Sequence, residues 1–84
     1  MLIKKIRSLL IALFGNDSNF EVRELTNHSK SYRFLIVIAQ RAIEESIKNQ
    51  DELFSLIENL IKLNLQEINL DAKLEILFEV YSGF

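Results

Sequence analysis

The chain has 84 residues, with no cysteine, no proline, two glycines and a formal net charge of −2. This length predicts one domain, residues 1–84, with a single modest hydrophobic core. The lack of cysteine excludes a disulfide framework and a thiolate zinc site, and it favours a reducing, cytoplasmic compartment. Hydrophobic residues make up 49% of the sequence, which argues against a disordered chain.

The small net charge hides an asymmetry between the two halves. Residues 1–50 contain eight basic and five acidic side chains, whereas residues 51–84 contain two basic and seven acidic ones. An acidic half is a poor partner for a phosphate backbone, so the charge pattern argues against nucleic-acid binding.

The first residues predict an amphipathic helix that ends before Gly15, a residue suited to the left-handed conformation at a helix C-terminus. Its apolar stripe has spacings of four, three and four residues: Leu2, Ile6, Leu9 and Leu13. Lys4, Lys5 and Arg7 lie off this stripe. They are candidate membrane-surface residues if the apolar face enters an anionic membrane, or solvated bases if that face belongs to the core.

A basic start followed by an apolar run also resembles a signal peptide. The run is too short, and residues 15–17 lack a small-x-small cleavage pattern, so we expect no cleaved signal. No apolar stretch reaches the length that a transmembrane helix needs.

The middle of the chain predicts a short helix over residues 20–26 and a central helix from residue 29 or 31 to about residue 48. The apolar stripe of this central helix comprises Tyr32, Ile36, Ala39, Ile43 and Ile47. Residues 34–38 also fit a strand on propensity, but the pattern that continues through Ala42 favours a helix.

A fourth helix is predicted over residues 52–63, with Glu58 and Lys62 as an i,i+4 ion pair. A fifth is predicted from Asn69 or Asp71 to about Tyr81. Together these elements predict an all-α fold, an antiparallel up-and-down four-helix bundle with one additional short helix. Its centre should contain Ile36, Ala39, Ile43 and Ile57, and the side chains expected to be almost fully buried are Leu35, Ile36, Leu60 and Leu77.

The inventory of chemically active residues argues against an enzyme. The one histidine, His28, falls in a polar segment predicted to be a loop, without a visible catalytic partner. No Glu-x-x-His pair and no glycine-rich phosphate loop is present. We therefore expect no catalytic residue, no cofactor and no metal site.

The end of the chain holds the candidate partner-binding residues Glu75, Glu79, Tyr81 and Phe84. An aromatic anchor with a polar rim is typical of a binding hot spot. The alternatives are that the two carboxylates form a solvated acidic face and that the aromatic rings fold back as packing.

Residues 53–81 carry a pattern of apolar spacings that resembles a known family. The pattern is Ser55-Leu56-Ile57, Asn59-Leu60-Ile61, Leu65, Ile68-Asn69-Leu70, Leu74, Leu77-Phe78 and Tyr81-Ser82. It is similar to the C-terminal half of the enterocin A immunity family, whose members protect producers of class IIa bacteriocins. The proline that usually enters the last helix of that family is absent, and Asp71 stands in that neighbourhood.

The resemblance implies a non-enzymatic cytoplasmic four-helix bundle acting at the inner face of the membrane. Such a protein would recognise a bacteriocin-occupied mannose phosphotransferase permease and block its pore. The alternative hypothesis is a small helical protein–protein interaction module, or a self-associating regulator of the phage, toxin–antitoxin or death-like adaptor type. A neighbouring gene for a leader-bearing, cysteine-containing peptide would favour immunity, and a neighbouring toxin, protease or nuclease gene would favour the alternative.

Overall fold

The computed structural model describes residues 2–28, 31–65 and 73–82. A single turn of 3-10 helix, Asp17–Asn19, separates the first helix from the first strand. The main elements, in chain order, are α1 (Leu2–Phe14), β1 (Phe20–His28), β2 (Ser31–Ala39), α2 (Gln40–Glu45), α3 (Gln50–Leu65) and β3 (Lys73–Tyr81). The fold is therefore mixed α/β, and the all-α four-helix bundle with one additional short helix is wrong.

The three strands form one mixed sheet in the order β1-β2-β3. β1 and β2 pair antiparallel as a hairpin, with a β-bulge between Glu24 and Thr26. β2 and β3 pair parallel, with Leu35 opposite Leu77. A parallel pair needs a crossover connection, and α2 and α3 lie between the two strands in the chain.

The central helix predicted through residues 32–39 is wrong, because these residues form the middle strand. β2 is the middle strand of the sheet, and five of its nine residues are buried, namely Phe34 and residues 36–39. The continuous run Phe34–Ile38, rich in β-branched side chains, suits that position. Only residues 40–45 of the predicted helix are helical.

The helix predicted over residues 20–26 is also wrong, since β1 lies there. The helix predicted from Asn69 or Asp71 to Tyr81 is wrong over residues 73–81, which form β3, and its first residues lie outside the described ranges. In β1 apolar and polar side chains alternate from Phe20 to Arg23, and in β3 Leu74, Ile76, Phe78 and Val80 recur at every second residue, which is the period of a strand. In β1, Phe20 and Val22 are buried while Glu21 and Arg23 are exposed.

Two predicted helices are confirmed. α1 has the expected bounds, and Gly15 follows it at φ +86 with its N–H donating to the Ile11 carbonyl at 2.7 Å. α3 contains the predicted residues 52–63, and Glu58 and Lys62 form the i,i+4 ion pair at 3.2 Å.

The core lies between the helices and one face of the sheet. Ile6 and Leu10 of α1 and Leu53, Ile57 and Ile61 of α3 pack with the even-numbered apolar residues of the strands. Of the residues predicted at the centre, Ile36, Ala39 and Ile57 are confirmed, at 0%, 0% and 1% exposure, while Ile43 packs at the margin. Leu35, Leu60 and Leu77 are only half-buried, contrary to prediction.

Candidate interaction surface

The side of the sheet that faces away from the core is here called the outer face. The alternation of side chains along the strands assigns it the odd-numbered residues. Its members are Glu21, Arg23, Arg33, Leu35, Val37, Lys73, Glu75, Leu77, Glu79 and Tyr81. The core cluster joins α1, α2 and α3 to the opposite face, so no helix within the described ranges covers the outer face.

Three apolar side chains occupy the middle of the outer face. Leu35 and Leu77 are direct neighbours in the parallel pairing of β2 and β3, and Val37 lies two residues further along β2. Leu35 and Leu77 are half-buried, and Val37 is only 7% exposed. None of the three belongs to the core cluster.

Charged side chains surround this apolar centre. Arg33 Nε lies 3.1 Å from Glu75 Oε2, which joins β2 to β3. Arg23 Nε lies 3.0 Å from Glu21 Oε1 on β1. All four side chains are 45–59% exposed, so each ion pair contributes only ~0.2–1 kcal/mol to stability.

The charged side chains around the apolar centre act on one another. The hydrogen bond from the Arg23 side chain, together with its positive charge, lowers the pKa of Glu21. Reciprocally, the hydrogen bond to Glu21 and its charge raise the pKa of Arg23, and the more distant carboxylate of Glu79 adds to this effect. Glu79 lies on β3, two strands from Arg23, so charged side chains on different strands of the outer face act on each other.

Three of the four predicted partner-binding residues come together on this surface. Glu75, Glu79 and Tyr81 lie on the same side of β3, although the prediction placed the two acids on a helix. Tyr81 is 47% exposed. Within the part of the chain that the structure describes, Glu79 takes part in no ion pair. The fourth residue, Phe84, lies outside the described residues.

Comparisons with protein-family models, curated proteins and solved structures found no match for this chain.

The apolar centre was not predicted as part of a site. Leu35 and Leu77 were assigned to the core because they fit helical stripes, and Val37 was not singled out. The signal that could have found them is the alternation in residues 73–81, where Glu75, Leu77 and Glu79 share one side of a strand.

The predicted membrane-surface residues Lys4, Lys5 and Arg7 are exposed on α1. The apolar side of this helix is buried in the core, with Ile6 at 0% and Leu10 at 1% exposure. Inserting that side into a membrane would require opening the core, so the geometry favours the alternative that the three bases are solvated. None of the described helices is long and apolar enough to cross a membrane.

A small cleft of about 230 Å³ lies where α1, α2 and α3 meet. Its lining comprises Leu13, Phe14, Asn19, Ala42, Glu45, Ser46 and Leu53. The Ser46 hydroxyl oxygen accepts a hydrogen bond from the Lys48 N–H at 3.1 Å. Over residues 2–28, 31–65 and 73–82, no group of three or more carboxylate or histidine residues could hold a metal ion.

His28 is the last residue of β1, not part of a loop as predicted. It pairs with Ser31 across the hairpin.

Among the surfaces described, the outer face combines an apolar centre with surrounding charged side chains, and it is therefore the candidate interaction surface.

Proposed function

We propose that this protein is a non-enzymatic protein-binding module and that the outer face of its sheet is the contact surface. The observation that carries the proposal is the apolar centre of Leu35, Val37 and Leu77, which no described helix covers. A sheet face that served only as surface would be expected to carry polar side chains throughout.

The composition of the outer face resembles a binding hot spot. An apolar middle, an aromatic at one end and a charged rim are the usual parts of such a surface. Tyr81 supplies the aromatic, 47% exposed at the end of β3. Burying Leu35 and Leu77 fully would contribute about 25 cal/mol for each Å² of apolar surface removed from water.

The charges indicate the chemistry of the partner. Glu21 and Glu75 already have arginine partners within the outer face, whereas Glu79 has none in the described ranges. A carboxylate without an ion pair, next to an apolar centre, suits a partner that presents apolar side chains with a lysine or arginine beside them. We therefore infer a protein partner with an apolar, basic-flanked surface.

Bacteriocin immunity is one biological form that such binding could take. It is supported by the spacing of apolar residues in residues 53–81, and recognition of a bacteriocin-occupied permease would be a protein–protein contact. The four-helix bundle that the resemblance implies is not the fold of this chain, because the last part of that stretch is β3. On this proposal the protein acts in the cytoplasm, at the inner face of the membrane.

Immunity has a direct test. Cells of a sensitive strain that express the full chain should survive a cognate class IIa bacteriocin. Expression of the Leu35→Lys variant should protect them at least tenfold less. If the full chain protects no strain against any class IIa bacteriocin, immunity is excluded while protein binding through the outer face remains open to its own test.

The binding surface is tested by placing a photo-crosslinking amino acid at Leu35 in the full chain, in the cells that express it. The matched control places it at Leu63, which is 63% exposed on α3 in the helical layer. Position 35 should give a discrete adduct with one other protein, and position 63 should not. Equal adducts from both positions, or none from position 35, would contradict the proposal.

The protein identified in this way is then purified and its affinity measured. Leu35→Lys and Glu79→Lys should each weaken binding about tenfold or more, since each changes a group in or beside the apolar centre. Leu63→Ser should leave the affinity within about twofold, because side chains outside an interface core contribute little. Circular dichroism should show that all three variants stay folded.

A further inference from the structure

β3 is the edge strand of the described sheet, and no described strand pairs with its outer side. One side of β3 pairs with β2 over nine consecutive residues, from Lys73 opposite Ser31 to Tyr81 opposite Ala39. The other side faces no strand, because β3 stands last in the order β1-β2-β3. An edge of this length presents a row of N–H and C=O groups that can pair with another strand.

The opposite edge of the sheet is protected, whereas the β3 edge is not. β1 carries a β-bulge after Glu24, and Glu24 itself pairs with Phe34, whose side chain lies in the core. A bulge is one way in which proteins prevent edge pairing. β3 has no bulge, since its register with β2 is unbroken from Lys73 to Tyr81.

Apolar side chains also remain partly exposed along the β3 edge. Phe54 of α3 stacks on Phe78 with ring centroids 4.5 Å apart and planes 9° apart. Both rings and Leu74 pack against the core but are only half-buried. We call Phe54, Leu74 and Phe78 the apolar ledge. It follows the edge of β3 that no described strand pairs, so one partner strand with an apolar side would cover both.

The sequence of β3 is complementary to itself in one register. When two β3 strands run antiparallel with Ile76 opposite Ile76, Lys73 stands opposite Glu79, Leu74 opposite Phe78 and Glu75 opposite Leu77, each twice. Opposite charges in directly facing positions stabilise a strand pair. A register centred on Leu77 would instead set Glu75 opposite Glu79, and like charges in facing positions destabilise it.

We propose that two copies of this chain associate through β3, paired antiparallel about Ile76, to form one continuous six-stranded sheet. A two-fold axis perpendicular to the sheet relates the copies, so their helices lie on the same side and their apolar ledges meet. The dimer interface shares Glu79 with the outer face but does not include Leu35 or Val37 of β2, so Leu35→Lys tests binding of a further protein and Lys73→Glu tests the dimer.

The first test is the dimer dissociation constant of the full chain, measured by sedimentation equilibrium. Lys73→Glu should weaken the dimer about tenfold or more, because two facing pairs become like-charged, and Glu79→Lys should do the same. The double variant Lys73→Glu/Glu79→Lys restores both pairs and should return the constant to within about threefold of the original. Both side chains are exposed, so the variants should stay folded.

The matched control is Glu24→Lys, which changes the net charge as much as Glu79→Lys does but lies on the protected edge. It should leave the dissociation constant within about twofold, since distant exposed charges are largely screened at physiological salt. A chain that stays monomeric up to millimolar concentration would overturn the proposal. So would a dimer that neither single charge reversal weakens, or one that the double variant does not restore.

The register has its own test, because the chain has no cysteine. In the variant Lys73→Cys/Glu79→Cys, the proposed register brings the introduced thiols of the two copies to facing positions, within reach of a disulfide. The comparison variant Glu75→Cys/Glu79→Cys matches the register centred on Leu77. The first should cross-link into dimers at least tenfold faster under mild oxidation. Equal rates, or a faster second variant, would overturn the register about Ile76.

Discussion

Arg33 on β2 and Glu75 on β3 are directly paired in the parallel register, and Arg33 Nε lies 3.1 Å from Glu75 Oε2. The two side chains are 45% and 53% exposed. This ion pair joins the two strands on the outer face, at the margin of the apolar centre. The coupling energy between these two side chains can be measured directly from the stability of variants.

A double-mutant cycle with Arg33→Ala and Glu75→Ala should give a coupling energy of ~0.2–1 kcal/mol, as for other exposed pairs. The free energy of unfolding of the four proteins, from urea denaturation, supplies the measurement. In 1 M salt the coupling should fall towards zero, because the Debye length is then only about 3 Å. A coupling well above this range would show that the outer face is covered and dry.

Ile36 lies in the middle of β2 and is 0% exposed. The substitution Ile36→Ala should lower the free energy of unfolding by ~2–5 kcal/mol, because it removes buried methyl groups and leaves a cavity. Urea denaturation followed by circular dichroism measures this loss. In a domain of this size such a loss takes most of the stability, which is on the order of 5 kcal/mol.

Leu63→Ala is the control for Ile36→Ala, since Leu63 is 63% exposed on α3. Its effect should stay within about 0.5 kcal/mol. If Ile36→Ala cost no more than Leu63→Ala, β2 would not be the centre of the core.

Part of the fold follows from local sequence and part does not. α1 could be predicted because its stripe and the terminating Gly15 act within a few residues of each other. The run Phe34–Ile38 fits a buried strand and a buried helix equally well. The choice depends on β1 and β3 as neighbours, and the contact between β2 and β3 joins residues far apart in the chain.

The apolar residues of β3 fit both the two-residue period of a strand and the spacing of a helix. Leu74, Ile76 and Phe78 alternate as in a strand, while Leu74, Leu77 and Tyr81 have helical spacings. Glu75, Glu79 and Tyr81, predicted as partner-binding residues on a helix, nevertheless lie on one side of β3. Residues four apart, such as Glu75 and Glu79, share a side on a helix and on a strand alike. The apolar centre could not be found in this way, because the predicted bundle buried Leu35 and Leu77.

Gly15 ends α1 with φ +86, and an added Cβ would meet no atom within 4 Å. Gly15→Ala should therefore lower the free energy of unfolding by ~1–2 kcal/mol through backbone strain alone, without a steric clash. Thermal denaturation followed by circular dichroism checks the value.

Gly15→Asn is the matched variant, because asparagine tolerates the left-handed conformation better than alanine does. It should cost clearly less than Gly15→Ala. Equal costs for the two variants would mean that the left-handed conformation does not govern this position.

The hydrogen bond and charge of Arg23 lower the pKa of Glu21. Arg23→Gln should raise that pKa towards the ordinary value of about 4.3, measured by an NMR titration of the Glu21 carboxyl carbon. A carboxylate whose folded pKa is depressed stabilises the fold above its unfolded pKa. That stabilisation is lost as the pH falls through the folded pKa.

Arg41→Gln is the control for this titration, since Arg41 Nε donates to Asn19 Oδ1 at 3.2 Å and does not contact Glu21. It should leave the pKa of Glu21 unchanged. An ordinary pKa for Glu21 in the unmodified chain would show that the hydrogen bond to Arg23 does not form in solution.

Residues 31–39 and 73–81 pair as parallel strands and so create the outer face. The most direct measurement is a set of NMR nuclear Overhauser contacts across this pair. The register predicts contacts between Leu35 and Leu77 and between Val37 and Glu79, with strand-type carbon shifts in both segments. Contacts between residues three apart throughout 32–39 and 73–81, with helical carbon shifts, would contradict it.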